Sequence, residues 1–442
     1  MSSHGREAPV SDGCILPPIS RGSGFSLTIL LMNYVVVAIP YFILAMLVEF
    51  FYGKLVKRQT YRLADTVNSL QLGTLSRLVD VLRLGFSAIV FGTLVQWLGV
   101  HQWSMDSAWQ WVAAFVAYDF LYYWKHRYGH EWRIMWASHI AHHQSEEFNL
   151  STALRQTGTD YVGFVFYIPL YLAGVPAAAV ITVGSLNLIY QFWVHTEHIR
   201  RLGPLEWIFV TPSNHRVHHA RNPEYIDRNY GGVFILWDRV FGTFQDERVD
   251  VPCVYGITTG LKSWNPLWAN LHFWLDTAKL AWRTRSWGDK LRIWFKPPAW
   301  QPADLDPHQK IDPNYPKFDP PASGYARAYT FVQYWVLTFA SLWLLEVEKT
   351  LPRTFVLLVF VLMCFSLFVQ GAALEGRVYA RKLEWLRVGA TLALALTAYL
   401  LWPQTLTTAA IGLAGYAALS ALAFAFEAYN HDNDRNAARA FG

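Results

Sequence analysis

Cysteine is scarce in this sequence. Its three cysteines, Cys14, Cys253 and Cys364, lie far apart and form no CxxC pair, which excludes a disulfide framework and a thiolate-held metal. Charge is thin as well: Asp, Glu, Lys and Arg make up 16% of the chain, against roughly 25% in an ordinary soluble domain. The net charge is +5, and the basic residues sit beside apolar runs rather than in a stripe, so nucleic acid is excluded as a partner. No HExxH motif occurs, which removes the usual signature of a zinc hydrolase. Residues 1–25 contain Gly, Ser and Pro but no charged-then-apolar signal with a cleavage site, and they read as a flexible tail.

What is present is apolar. Hydrophobic residues make up 53% of the chain and aromatics 16%, the composition of a membrane protein. A helix needs roughly 17–25 mostly apolar residues to cross the hydrocarbon core. Segments 26–50, 82–100, 108–123, 161–174, 176–194, 329–345, 354–374, 388–402 and 406–426 predict nine crossings, with 161–174 short enough to be re-entrant. Lys54, Lys57, Arg58, Arg62 and Arg77 follow the first segment, and Arg377, Arg381, Lys382 and Arg387 precede the eighth. Nine crossings put both basic loops on the cytoplasmic side, together with residues 126–143 and 195–326. The expected organisation is a tail (1–25), a membrane-embedded catalytic unit with a cytoplasmic cap (26–326) and a C-terminal four-helix transmembrane block (327–442). Between residues 264 and 300, tryptophans alternate with Lys and Arg. That pattern suits either helices in the headgroup layer or an amphipathic helix packed on the cap.

Histidine is the residue in excess. Of fifteen histidines, ten fall in four clusters: His126 and His130; His139, His142 and His143; His195 and His198; His215, His218 and His219. Spacings of three and four place side chains on one helix face, so each cluster offers imidazoles to one side. HxxHH occurs twice, which makes coincidence a poor account. Ten imidazoles exceed what one ion can take, so two metals are implied. About five nitrogens each suit iron with a position left for oxygen better than tetrahedral zinc. Among the polar residues nearby, Asp119 lies two turns before His126 in an apolar segment, as a carboxylate orienting a ligand would; a structural hydrogen bond to a neighbouring helix is the alternative. Glu146, three residues after His143, is placed to orient a ligand or contact a reductant, and Asn214 precedes the last cluster. His4, His101, His272, His308 and His431 are isolated.

The stretches DFLYYWKHRYGHEWRIMWASHIAHHQSEEFNLSTALRQ and LGPLEWIFVTPSNHRVHHARNPEYIDRNYGGVFILWDRVFGTFQDE resemble the fatty acid hydroxylase and sterol desaturase superfamily of membrane-bound non-haem di-iron enzymes. The likeness covers about residues 119–246 and is greatest to the pterin-dependent, ether-lipid-cleaving alkylglycerol monooxygenase branch. It implies an all-α, multi-pass membrane bundle with a histidine-rich two-metal region on its cytoplasmic side. It also implies two iron ions held by the ten clustered histidines, with His195 and His198 in a more variable box. O2 would be the co-substrate, a membrane lipid the substrate, and tetrahydrobiopterin or a redox protein the electron donor. Oxidation next to an ether oxygen would give a hemiacetal that collapses to an aldehyde. The alternatives are a fatty acyl, sterol or carotenoid hydroxylase or desaturase on the same metals and, in a different class, a metal transporter.

Overall fold

The computed structural model describes residues 34–83, 90, 93, 97–306 and 315–440. The N-terminal tail, Cys14, His4, His308 and most of segment 82–100 lie outside these residues. The described chain is helical and has no strands, only isolated bridges at Phe209–Phe234 and Ala220–Tyr255.

The chain opens with α1 (Tyr34–Leu55), α2 (Leu63–Arg83), α3 (Ala108–Glu131) and α4 (Arg133–His143). Next come the one-turn α5 (Leu150–Ala153), a 3-10 turn at Gly163–Tyr167 running into α6 (Ile168–Leu172), and α7 (Ala177–Trp193). The cap holds α8 (Pro212–His219), α9 (Leu236–Phe241), α10 (Pro266–Arg283) and α11 (Trp287–Arg292). Four long helices follow: α12 (Gly324–Val347), α13 (Arg353–Leu374), α14 (Ala380–Leu401) and α15 (Pro403–Ala440).

Among the described residues, five helical stretches are long and apolar enough to cross a membrane: Val37–Leu55, Gly324–Thr350, Arg353–Leu374, Ala380–Leu401 and Pro403–Ala425. The chain is therefore a multi-pass membrane protein. Nine crossings were expected. The 161–174 segment is not a helix of that length, because Pro169 starts a new turn after the 3-10 stretch rather than continuing one. The 176–194 segment forms α7, with 17 residues. The 108–123 segment is the apolar half of α3, whose C-terminal half carries Lys125, His126, Arg127 and His130.

Burial follows the solvent each face meets. Tyr41, Leu44 and Val48 on α1 and Leu396 and Leu400 on α14 are exposed, as lipid-facing residues are. Leu337, Leu344, Phe355, Val359, Met363 and Leu394 close the interior of the C-terminal helices against Leu75 and Leu78 of α2. The charged pair buried among these helices is satisfied. Arg387 Nη2 donates to Glu384 Oε1 at 2.6 Å and Arg387 Nη1 to Tyr416 Oη at 2.6 Å. A second core joins Phe42 and Met46 of α1 to Leu70, Phe192 and Tyr334, tying α12 to α1, α2 and α7. In the Trp-rich stretch, α10 packs on α4 and α13. Trp282, Trp287 and Leu291 remain exposed beside Lys290, a composition suited to the headgroup layer.

Candidate metal centre

A single extended residue makes the first half of the site. Trp132 (φ −109°, ψ 126°) ends α3 and begins α4, so the chain folds back and α4 lays its histidines against those of α3. Thr211 and Asn214 cap α8 reciprocally, with Asn214 Oδ1 accepting from Thr211 N at 3.1 Å. That short helix carries the third set. His195 follows directly after α7 ends at Trp193.

Nine of the ten clustered histidines converge into two groups. His126, His130, His139, His143 and His218 form one; His142, His195, His215 and His219 form the other. Within each group the candidate ligand atoms lie within 4.8 Å of one another, and an ion with metal–nitrogen bonds of ~2.1 Å spreads opposite donors by roughly 4 Å. The two HxxHH motifs divide reciprocally. His139 and His143 go to the first group and His142 to the second, whereas His215 and His219 go to the second and His218 to the first. Rings of the two groups touch, with His143 and His219 stacked at 4.4 Å between centroids.

Backbone carbonyls set the tautomers. Nδ1 of His126 donates to the Tyr230 carbonyl at 2.8 Å, His142 to Arg155 at 3.0 Å, His195 to Gln191 at 2.8 Å and His218 to Arg228 at 3.0 Å. A carbonyl only accepts, so each ring carries its proton on Nδ1 and presents a bare Nε2. His142 Nε2 and His195 Nε2 then face each other at 3.3 Å, lone pair to lone pair. That contact is repulsive between neutral rings and favourable around a cation. Nε2 of His130 and of His218 is buried without a hydrogen-bond partner, a costly state for a polar atom unless it binds something. Burial pushes the His142 ring down to about 4 and the His218 ring to about 3, so both are neutral donors at ordinary pH. Five and four imidazoles, with neither carboxylate nor thiolate in either group among the described residues, exceed one closed zinc tetrahedron and suit two ions with free positions.

The remaining expected site residues lie elsewhere. His198 is in neither group; its ring packs on Tyr52 at 5.1 Å. The i, i+3 spacing shares a face only within a helix, and α7 stops before His195. Asp119 touches no histidine. Its carboxylate accepts from Asn187 Nδ2 at 2.6 Å, Val233 N at 2.8 Å, Phe234 N at 3.0 Å and Trp237 Nε1 at 3.0 Å. It pins the loop whose Tyr230 carbonyl orients His126. A Cβ on Gly232 would fall 2.8 Å from Asp119 Oδ1, so glycine is needed for that approach. Asn214 serves as a helix cap. Glu146 Oε2 accepts from Phe318 N at 2.7 Å and Arg62 Nη2 at 3.2 Å, which occupies it in the cap rather than against a ring.

Other residues that build the site were not singled out in the sequence. Asp238 accepts from Tyr230 N at 2.7 Å and Gly231 N at 2.8 Å, holding the same loop from below. Glu49 of α1 accepts from Leu150 N at 2.8 Å and from the Thr196 hydroxyl, next to His195. A carboxylate inside an apolar segment was the available signal for Glu49; Asp238 left none. A cavity of about 280 Å³ reaches the two groups through His139, His142 and His195 and extends past Phe42, Leu70 and Phe192 to Leu342 and Leu345 of α12. His139 and His142 are the two partly exposed members of the set, and both line this cavity.

A family model described as fatty acid hydroxylase matches residues 111–243. The chain is 38% identical to the alkylglycerol monooxygenase of Homo sapiens, over 80% of this chain and 81% of that protein. It is 36% identical to the alkylglycerol monooxygenase of Xenopus tropicalis, over 80% of each. An ornithine lipid hydroxylase of Rhizobium tropici is 33% identical over 36% of this chain and 47% of its own length. No solved structure matches the chain.

Proposed function

The chain belongs to the fatty acid hydroxylase family of oxygen-dependent lipid monooxygenases, and from that premise we propose that it cleaves the ether bond of alkylglycerols with O2, using two iron ions held by the nine convergent histidines. The observation that carries the metal reading is the His142–His195 contact, where two carbonyl-locked rings aim bare nitrogens at one point. The ether-lipid substrate follows from relatives that share 80% of the chain and bear that activity in their names.

When bound, the two irons supply O2 activation and the oxidation of an unactivated C–H bond. The protein's part is positional. His139 and His142 leave the open side of the centre facing the cavity, so a lipid reaches it from the bilayer rather than from water. Phe42, Leu70 and Phe192 dry the path. Tyr122 donates to Gln191 Oε1 at 2.7 Å, whose carbonyl in turn holds His195. Insertion of one oxygen atom at the carbon next to the ether oxygen consumes O2, two electrons and two protons, and releases water. The resulting hemiacetal breaks its C–O bond to give an aldehyde and glycerol. A reduced pterin is the donor implied by the branch resemblance. Glu146, the sequence's candidate contact for it, is held by Arg62 and Phe318.

The site is assigned to the cytoplasmic face. Arg58 pairs with Glu197 at 2.8 Å and Arg62 with Glu146 at 3.2 Å, so the first basic loop lies on the histidine side, and the positive-inside preference of such loops supports a cytoplasmic site. The test is incubation of the purified protein with hexadecylglycerol, iron, a reduced pterin and labelled oxygen. Labelled hexadecanal is expected. Oxidised lipid with the ether intact would favour an acyl, sterol or carotenoid hydroxylase; no oxidised product, with metal flux in vesicles, would favour transport.

A further inference from the structure

Two cavities meet at one ion pair. Lys125 Nζ lies 2.8 Å from Asp160 Oδ2, each side chain 26% exposed. Both residues line the large cavity and also a smaller chamber of about 60 Å³ bounded by His126, Gly129 and Ser138. Tyr122, His139 and Thr157 likewise border both spaces. The pair therefore stands beside the partly open His139, between an apolar channel and a compartment with room for several waters. Gly163 shows that the backbone accommodates it: a Cβ there would fall 2.4 Å from Lys125 Cε and 2.5 Å from Asp160 Oδ1, while its N–H donates to Asp160 at 2.9 Å.

Removing two charges from water is expensive, and such a pair rarely stabilises a fold more than apolar packing would. Its chemistry is specific, however. It offers donors and acceptors at fixed spacing with no net charge, the complement of neighbouring hydroxyls. A phosphate would meet Asp160 as a like charge.

We propose that Lys125 and Asp160 form the site for the polar head of the lipid, a neutral vicinal diol, whose chain lies in the apolar arm toward Phe42, Phe192 and Leu342. The carbon joining head to chain then falls beside His139 and His142, which directs oxidation to that carbon. This rests on the ether-lipid reading above and names the residues that would select its substrate.

Equilibrium binding to the metal-free protein in micelles tests it, with hexadecylglycerol, its phosphate ester and hexadecyl methyl ether as probes. The wild type is expected to bind hexadecylglycerol about tenfold tighter than the methyl ether, the value of hydrogen bonds to charged groups. Asp160→Asn and Lys125→Met should each bring that ratio to within about twofold while leaving methyl ether binding, and hence the fold and channel, unchanged. Gly163→Ala should lower the ratio in the same way by displacing the pair. An unchanged ratio in both charge variants, or tighter binding of the phosphate ester by the wild type, overturns the proposal. Aldehyde release from hexadecylglycerol is scored separately: its absence removes the ether-lipid reading, whereas its presence with an unchanged ratio removes only the head site.

Discussion

At the scale of single residues, the two histidine groups make separable predictions. His142 and His218 belong to different groups, and each has its proton fixed on Nδ1 by a carbonyl. Replacing either by Ala removes one donor from one group. Each variant is expected to lose about one equivalent of metal and at least about a hundredfold in turnover, more than the 10–100-fold usual for a group that only orients a ligand. His198→Ala should keep both metals, since its ring lies against Tyr52 outside both groups. Elemental analysis of the three proteins decides the matter: equal metal loss in His198→Ala and His142→Ala would show that the grouping is wrong. Asp119 calls for a different measurement. Four donors converge on its buried carboxylate, and orphaning a buried donor costs ~1–3 kcal/mol. Asp119→Ala should therefore lower the melting temperature of the metal-free protein well below that of His142→Ala. Equal melting of the two would show that Asp119 does not hold the loop.

At the scale of elements, α4 and α8 place their histidines in a buried, polar interior, and this sets an acid limit. The unfolded imidazole titrates near 6.5, whereas the folded His142 and His218 rings are pushed down to about 4 and about 3 by burial. Between those values the unfolded chain binds more protons than the folded one, so stability is complete above pH 6.5 and falls as the pH drops toward 4 and then 3. The loss from His142 alone is on the order of 3 kcal/mol. Bound metal, which also requires neutral rings, should be released in the same window. Melting of the metal-free protein from pH 8 to 4 tests this, and a constant midpoint from pH 7 to 5 would refute it. The same elements mark what the sequence could disclose. Convergence was legible because i, i+3 and i+4 spacing shares a helix face, and the eight histidines on α3, α4 and α8 obey it, whereas His195 lies beyond the end of α7. The division of His142 from His143 and of His218 from His219 was not, because it depends on how α4 and α8 face each other. The carbonyls of Tyr230, Arg155, Gln191 and Arg228 carry no side-chain signature at all. Asp119's partners Val233 and Trp237 lie more than a hundred positions away. Apolar run length marked five membrane helices but could not separate the 161–174 segment, whose apolar residues pack on α3 and α7, from a crossing.

At the scale of the molecule, one C-terminal helix, α12, borders the cavity that reaches the histidines. The expected boundary at 326 falls inside α12, and Tyr334, Thr338, Ser341, Leu342 and Leu345 of that helix line the same cavity as His139 and His142. From Tyr334 to Leu345 the helix rises by roughly 16 Å, so the cavity runs deep along a membrane helix rather than across the cap. Under the proposed function, chain length is read by α12, far from the histidines. Leu342→Trp adds bulk toward the far end without touching a histidine. Long-chain ethers should lose about tenfold in kcat/KM, while short-chain ethers that stop before Leu342 should change less than about twofold, because packing against a channel wall discriminates by one to three kcal/mol. Metal content should equal that of the wild type, since no ligand moves. A series of ethers of rising chain length, assayed on both proteins, reads the effect as a shift of the optimum toward shorter chains. A uniform loss across the series would place the lipid outside this cavity, and an unchanged optimum would show that the channel ends before α12.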